Sequence, residues 1–374
     1  MTSLKPQSEA ELAEAIKSAK GPLHIRGGGT RRTGAELGQV LETSGLSGIS
    51  LYEPGALTVV AGAGTPLAEI EAALDAENQR LAFEPMDHRG LLGTTGEPTL
   101  GGVAAANVSG PRRIQCGAAR DFMLGVRFVD GQGSIVKNGG RVMKNVTGYD
   151  LVKLMAGSQG TMGVLTEVSL KVLPKPETMA CLLIDGLNDR DAINAMTRAM
   201  GSPYDVTGTA HLPKGLDGTP VTMIRIEGFN DSVAYRLEQL AGLFPNHALR
   251  RETDPEAVAK GWAYIRDAQP FHGTTGDVWR ISTKPTDAPD LAAKLDAKEV
   301  FYDWSGGLIW ALTPAGSDIR AKLGAFDGHA TLVRASGTTL PLFHPQPAPV
   351  AMLSEGVRRK FDPRGILNPG LMTA

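Results

Sequence analysis

The stretch Pro98-Thr99-Leu100-Gly101-Gly102-Val103-Ala104-Ala105-Ala106-Asn107-Val108-Ser109-Gly110 decides how the rest of the chain is read. A glycine pair opens it, small residues follow, and Asn-Val-Ser-Gly stops it. The pattern predicts a short helix whose first amides are left bare by Gly101 and Gly102. Bare N–H groups and the helix dipole together favour an anion such as a phosphate. The alanines let a large flat ligand, or another backbone, lie against the helix. A tight alanine-rich core helix behind a glycine turn fits the same residues, and a lone glycine-rich loop does not choose between the two.

Two more glycine turns lie on either side. The predicted strand Pro22–Arg26 runs straight into Gly27-Gly28-Gly29-Thr30, a second backbone-rich anion loop. Three consecutive glycines cost folding entropy, which favours a ligand over a mere flexible turn. Ser158-Gln159-Gly160-Thr161-Met162-Gly163-Val164 is the third turn. Around these, Ser8 and Glu11 form a capping box for a first helix. Thr65 reads as the cap of a helix with Pro66 in its first turn. Leu124–Val129 and Ser134–Lys137 read as a hairpin about Asp130-Gly131-Gln132-Gly133. Strands and helices mix without regular βαβ alternation, so the half is α+β.

From Met179 the grammar changes. Strand, helix, strand, strand, helix and strand follow between Ala180 and Arg251, the ferredoxin-like order. A helix and four further strands follow, ending at Ala330–Arg334. After Phe343-His344-Pro345 a helix runs from about Pro349 to Phe361, and the tail ends Asp362-Pro363-Arg364-Gly365-Ile366-Leu367-Asn368-Pro369-Gly370. Expected boundaries are therefore 1–176, a cap at 177–340, and a segment 341–374 returning to the first domain.

The 374 residues carry a net charge of −2, which argues against a nucleic-acid binder held by phosphate contacts. The two cysteines, Cys116 and Cys181, form no Cys-x-x-Cys, so the chain by itself holds no iron–sulfur cluster or thiolate zinc. Neither an apolar leader nor a membrane-length run is present, so the expected location is the cytoplasm, with any contact to the inner membrane made through partners.

Taken together, the three turns and the tail resemble the FAD-binding family of vanillyl-alcohol oxidase and p-cresol methylhydroxylase type. Arg26, Gly27, Gly28, Gly29 and Thr30 resemble its first pyrophosphate loop. Thr99, Leu100, Gly101 and Gly102 through Asn107, Val108, Ser109 and Gly110 resemble its flavin-side helix. Gly160, Met162, Gly163 and Val164 resemble the late loop that closes on the dinucleotide. The tail with Asn368 resembles the D-lactate and glycolate dehydrogenase branch, and the short length resembles its smaller glycolate oxidase subunits. The resemblance implies a two-lobed FAD-binding domain with a ferredoxin-like α+β cap. It also implies an FAD cofactor, a role in oxidising glycolate to glyoxylate, and two partners, a sister FAD subunit and an iron–sulfur subunit.

Two departures shape the expected chemistry. Relatives with covalent flavin often carry histidine where this chain has Gly29, so the FAD is expected to be non-covalent; Cys116 reads as a packing residue. Hydroxy-acid dehydrogenases of the branch carry a His-x-Gly-Asp-Gly-Asn-x-His run in the cap, and the seven histidines here are scattered. Oxidising a 2-hydroxy acid needs a base for the hydroxyl and a cation for the carboxylate. Arg280 and Arg334 are candidate cations, His344 could face the flavin or cap the last helix, and no catalytic base is assigned. Trp304 and Trp310 are either interface anchors or core. Three readings stay open: a flavin-carrying subunit of a glycolate oxidase, a complete dehydrogenase for another 2-hydroxy acid, and a scaffold with structural FAD.

Overall fold

The computed structural model describes residues 3–31, 37–141 and 148–372. It divides into two compact units, Met1–Ser109 with Gly117–Lys175 and Pro345–Ala374, and Gly110–Cys116 with Pro176–His344. The segment Gly110–Cys116, which the sequence reading put in the first domain, thus belongs to the second unit.

In the first unit, helix α1 (Glu9–Ser18) starts where Ser8 accepts a hydrogen bond from the amide of Glu11. Strands β1 (Leu23–Arg26) and β2 (Gln39–Glu42) pair in parallel. Next come β3 (Ile49–Glu53), β4 (Thr58–Gly62) and helix α2 (Leu67–Ala76). Thr65 does not cap α2: its hydroxyl accepts from Gly48 N at 2.9 Å, and Pro66 holds the cap position. The stretch that opened the reading is helix α3 (Leu100–Ala106). Strands β5 (Met123–Val129), β6 (Ile135–Gly139) and β7 (Val164–Lys171) complete an antiparallel sheet in the order β3-β4-β7-β5-β6. Leu12 and Ile16 of α1, Leu23, Leu41, Val129 and Val164 share one core with Ile366 and Leu367 of the tail. Burying those two side chains fixes the tail to this unit, each worth about 1.5–3 kcal/mol.

The second unit contains a duplication that the sequence reading missed. Strand β8 (Thr178–Asp185), helix α4 (Asp189–Met200), strands β9 (Val206–Leu212) and β10 (Val221–Gly228), helix α5 (Asn230–Gly242) and β11 (Ala248–Glu252) form the expected βαββαβ unit, in sheet order β11-β8-β10-β9. Helix α6 (Pro255–Arg266) follows. Then β12 (Asp277–Thr283), α7 (Ala288–Ala293), β13 (Glu299–Asp303), β14 (Leu308–Thr313), α8 (Ile319–Leu323) and β15 (Gly328–Arg334) repeat the pattern, in the order β15-β12-β14-β13. The second strand of each repeat, β9 and β13, pair antiparallel and join both into one eight-stranded sheet. The second copy escaped notice because α7 and α8, at 6 and 5 residues, are too short to show a helical period. Each repeat keeps its own apolar core, around Leu182, Ile224 and Leu240 in one and Trp279, Ile309 and Leu332 in the other.

Candidate functional site

A cleft of about 430 Å³ opens in the first unit, within the size range of small-molecule sites. The loop Arg26, Gly27, Gly28, Gly29 and Thr30 forms one wall; Thr99, Gly101 and Gly102 form a second; Gly160, Gly163, Val164 and Asn368 form a third. Thus twelve of the residues singled out from sequence converge there. Leu100, Asn107, Ser109, Gly110 and Met162 do not line it. Leu100 is core, at 1 % exposure. Asn107 ends α3 in the left-handed region, with φ +51°, and its Oδ1 accepts from Arg120 N at 2.9 Å. Ser109 Oγ accepts from Ala119 N at 2.9 Å, Met162 is buried, and Gly110 lies in the second unit.

The expected bare helix end is not bare. Leu100 N donates to Thr65 O at 3.0 Å, Gly101 N to Ala63 O at 2.7 Å, and Gly102 N to Thr99 Oγ1 at 3.3 Å. With those three amides occupied, the first turn of α3 has little left to offer an anion. Glycine is needed at 101 for another reason: a Cβ there would sit 2.7 Å from Ala63 Cβ and 2.8 Å from Ala63 O. Gly28 likewise nests against main chain, since its Cβ would fall 1.5 Å from Glu97 O. Two glycines meet no main chain of another segment: at Gly29, with φ +72°, a Cβ would approach only Arg26 Cδ, at 3.9 Å, and at Gly102 it would press on the Thr99 hydroxyl, with Oγ1 at 3.1 Å.

Asn368 ties the walls together. Its Oδ1 accepts from Ile25 N at 2.8 Å and its Nδ2 donates to Gln159 O at 2.7 Å, so the tail bridges the first and third glycine turns. Arg26 is held by Glu42 at 2.5 Å, and that hydrogen bond keeps the Glu42 carboxyl below its ordinary range. Sequence reasoning missed His24, Arg31, His88 and Thr94, which also line the cleft. Only Arg31, directly following the glycine loop, carried a signal that could have exposed it. Among the described lining residues there is no Asp or Glu.

In the second unit the candidate cations separate. Arg334 is consumed structurally, donating to Gly276 O, Phe271 O and Thr274 Oγ1. Arg280 lies on β12 with its guanidinium 4.7 Å from the centroid of Trp304, and Arg113 stands over the same ring at 4.7 Å. Burial, with the Arg113 charge close by, pushes Arg280 down to about 10. His329 is held below its ordinary 6.5 by burial and then by Arg280, His344 and Arg113. His344 is tied to β15 of its own unit: its Nδ1 accepts from Ala330 N at 3.2 Å. Trp304 and Trp310 are 5 % and 4 % exposed, which makes them core and not interface anchors. Trp304 and Ser305 both take positive φ, +55° and +58°, costly for L-residues. The turn is held in place by Asp303 Oδ1 on Trp304 N, by Trp304 Nε1 on Gly110 O, and by Thr209 Oγ1 on Ser305 Oγ. Among the described residues no group of His, Cys, Asp or Glu is placed to hold a metal, and no helix is long and apolar enough to cross a membrane.

Comparison with known proteins fits this geometry. A family model described as an FAD binding domain matches residues 3–139. Glycolate oxidase subunit GlcE of Escherichia coli (strain K12) is 36 % identical over 98 % of this chain and 97 % of its own. Glycolate oxidase subunit GlcD of Bacillus subtilis (strain 168) is 33 % identical over 43 % of this chain and 34 % of its own. Among solved structures, an alkyldihydroxyacetonephosphate synthase matches with a TM-score of 0.70 at 17 % identity, covering 98 % of this chain and 76 % of that one, which shows a shared fold. The residues present suit the cofactor: a cleft with no carboxylate among its described lining residues, glycines that let main chain approach, and an arginine beside them match a dianionic dinucleotide. End-to-end likeness to a subunit of this kind makes the chain a member of the FAD-binding oxidoreductase family that includes glycolate oxidase subunit GlcE.

Proposed function

We propose that this chain is the FAD-carrying subunit of a glycolate-oxidising enzyme, working with a sister FAD subunit and an iron–sulfur subunit. The observation that carries the reading is the match to GlcE over 98 % of one chain and 97 % of the other, since it includes the cap as well as the cofactor half. Bound FAD would supply hydride acceptance and onward electron transfer. The chain's own part is to hold it. The loop Arg26–Thr30, the wall at Thr99, Gly101 and Gly102, and the turn at Gly160, Gly163 and Val164 would surround the dinucleotide, with Asn368 fixing the spacing of two of them. Gly29 offers no side chain for attachment, so the flavin is held without a covalent bond.

Arg280 favours a second reading, in which the chain also engages the hydroxy acid. It is a half-buried cation stacked on Trp304, with the Asp303 charge near it and no direct salt bridge among the described residues, beside a turn kept in strained backbone. Such a group suits a substrate carboxylate. One comparison separates the readings: glycolate-driven dye reduction by this chain alone and by the reconstituted complex. Flavin that stays oxidised in the chain alone and bleaches in the complex supports the subunit reading. Equal turnover per flavin in both samples overturns it and restores the self-sufficient dehydrogenase. Acid precipitation should leave the yellow flavin in the supernatant; flavin retained in the pellet would contradict non-covalent binding.

A further inference from the structure

Arg31 follows the first glycine loop and lines the cleft. Its Nη2 donates to Gly102 O at 2.5 Å and lies 3.9 Å from where a Cβ of Gly102 would stand, which places the guanidinium beside this glycine wall of the cleft. That contact uses one of five N–H donors. No ion pair to Arg31 exists among the described residues, and burial alone pushes it down to about 10. The other arginine in the lining, Arg26, is already matched by Glu42. A cation partly withdrawn from water, with no carboxylate partner among the described residues, gains when something anionic arrives. The first turn of α3 cannot supply the missing complement, because the amides of Leu100, Gly101 and Gly102 are taken.

We propose that Arg31 is the counter-charge for the diphosphate of the bound dinucleotide, a cofactor-binding side chain in a cleft lined also by glycines and by the side chains of Arg26, His24 and His88. This rests on the cleft being the FAD site. The hydrogen bond to Gly102 O fixes the position of the guanidinium and leaves donors for phosphate oxygens. Charge recognition would then sit on a side chain, with the glycines providing clearance.

The test uses apo protein of the full chain, prepared from wild type, R31Q and R31K, titrated with FAD, with riboflavin and with ADP. R31Q should weaken FAD and ADP by about 10–100-fold, the loss expected for one charge-assisted hydrogen bond. Riboflavin, which lacks phosphate, should bind all three proteins alike, and R31K should recover part of the FAD affinity. Unchanged FAD affinity in folded R31Q overturns the proposal, as does an equal loss for FAD and riboflavin. Should R31Q fail to fold, wild-type apo protein answers the question through phenylglyoxal labelling read by mass spectrometry. Protection of Arg31 by ADP supports the role, and labelling at the same rate with and without ADP overturns it. A wild-type chain that binds no flavin would instead overturn the cofactor site itself.

Discussion

In the cleft of the first unit, main chain and glycine make most of the walls, whereas the basic cluster of the second unit is made by side chains. The cleft draws on loops that each read as a motif, at Arg26–Thr30, Thr99–Gly102 and Gly160–Val164. The cluster draws Arg113, Arg280, Trp304 and His329 from separate segments of chain, and none announces itself by spacing. Clearance for a ligand is written into a sequence as glycine, because no other residue lets a backbone approach so closely. A charge cluster is written only in the tertiary fold, because any surface arginine looks the same in a sequence.

The comparison can be broken most sharply at the glycines, since they divide into two kinds. Gly28→Val should unfold the first unit, because the new Cβ would fall 1.5 Å from Glu97 O, a collision with main chain. Overpacking usually costs about 1–3 kcal/mol, and a clash this close should exceed that. Soluble yield and thermal melting check it. Gly102→Val should leave the apo protein folded and abolish flavin loading, seen as a lost ratio of visible to 280 nm absorbance. A fully loaded G102V protein would show that this wall does not meet the cofactor.

In the second unit the largest effect belongs to the pair Arg112 and Glu227, 5 % and 3 % exposed and joined by a hydrogen bond from Arg112 Nη1. Arg112→Ala should cost about 1.5–3 kcal/mol in urea denaturation, because Glu227 loses a charge-assisted hydrogen bond while Arg225 Nε stays 3.7 Å from its Oε2. A loss under about 1 kcal/mol would mean that Arg225 alone satisfies Glu227. Flavin content of the folded fraction should stay normal.

Arg280→Met sharpens the contrast from the other side. Its stability change should stay within about 1 kcal/mol, since the lost contact with Trp304 and attraction to Asp303 are offset by relief of the repulsion with Arg113. Flavin content should be unchanged. Glycolate turnover by the complex should fall by about 10–100-fold if Arg280 holds the carboxylate. Unchanged turnover would assign the cation a packing role.

The smallest effect concerns pH. Burial, then the Arg320 charge, keeps His344 below its ordinary 6.5, and its Nδ1 must stay unprotonated to accept from Ala330 N. The unfolded chain takes up a proton more readily than the folded one, so this contribution is complete above about pH 6.5 and is lost as pH falls through that value. His344→Gln should flatten the pH dependence of stability below about pH 6.5; an unaltered slope would remove His344 from the account.

Much of the fold was legible because local rules and tertiary packing agree. Helix α4 and strand β9 occupy the residues their patterns gave, with polar outer faces and apolar inner ones in α4. Thr65 failed as a cap because Gly48 offered its hydroxyl a tertiary partner that a local motif cannot foresee. Leu100, Asn107 and Ser109 sit in the motif yet outside the cleft, since a helix and its stop turn residues in several directions and only one side meets the ligand.

By itself the sequence determined where the chain needs glycine, where βαββαβ first appears, and which segments return to make one site. Those are properties of residue type and short-range order, fixed by sterics within a few positions. Only the tertiary structure decided that the amides of α3 are spent on Ala63 and Thr65, that Gly28 and Gly101 pack against main chain while Gly29 and Gly102 do not, and that Arg31 stands in the cleft with no carboxylate partner among the described residues. Each of these depends on which distant atom arrives at a given hydrogen-bond donor or charge, and that is settled by the packing of the whole unit.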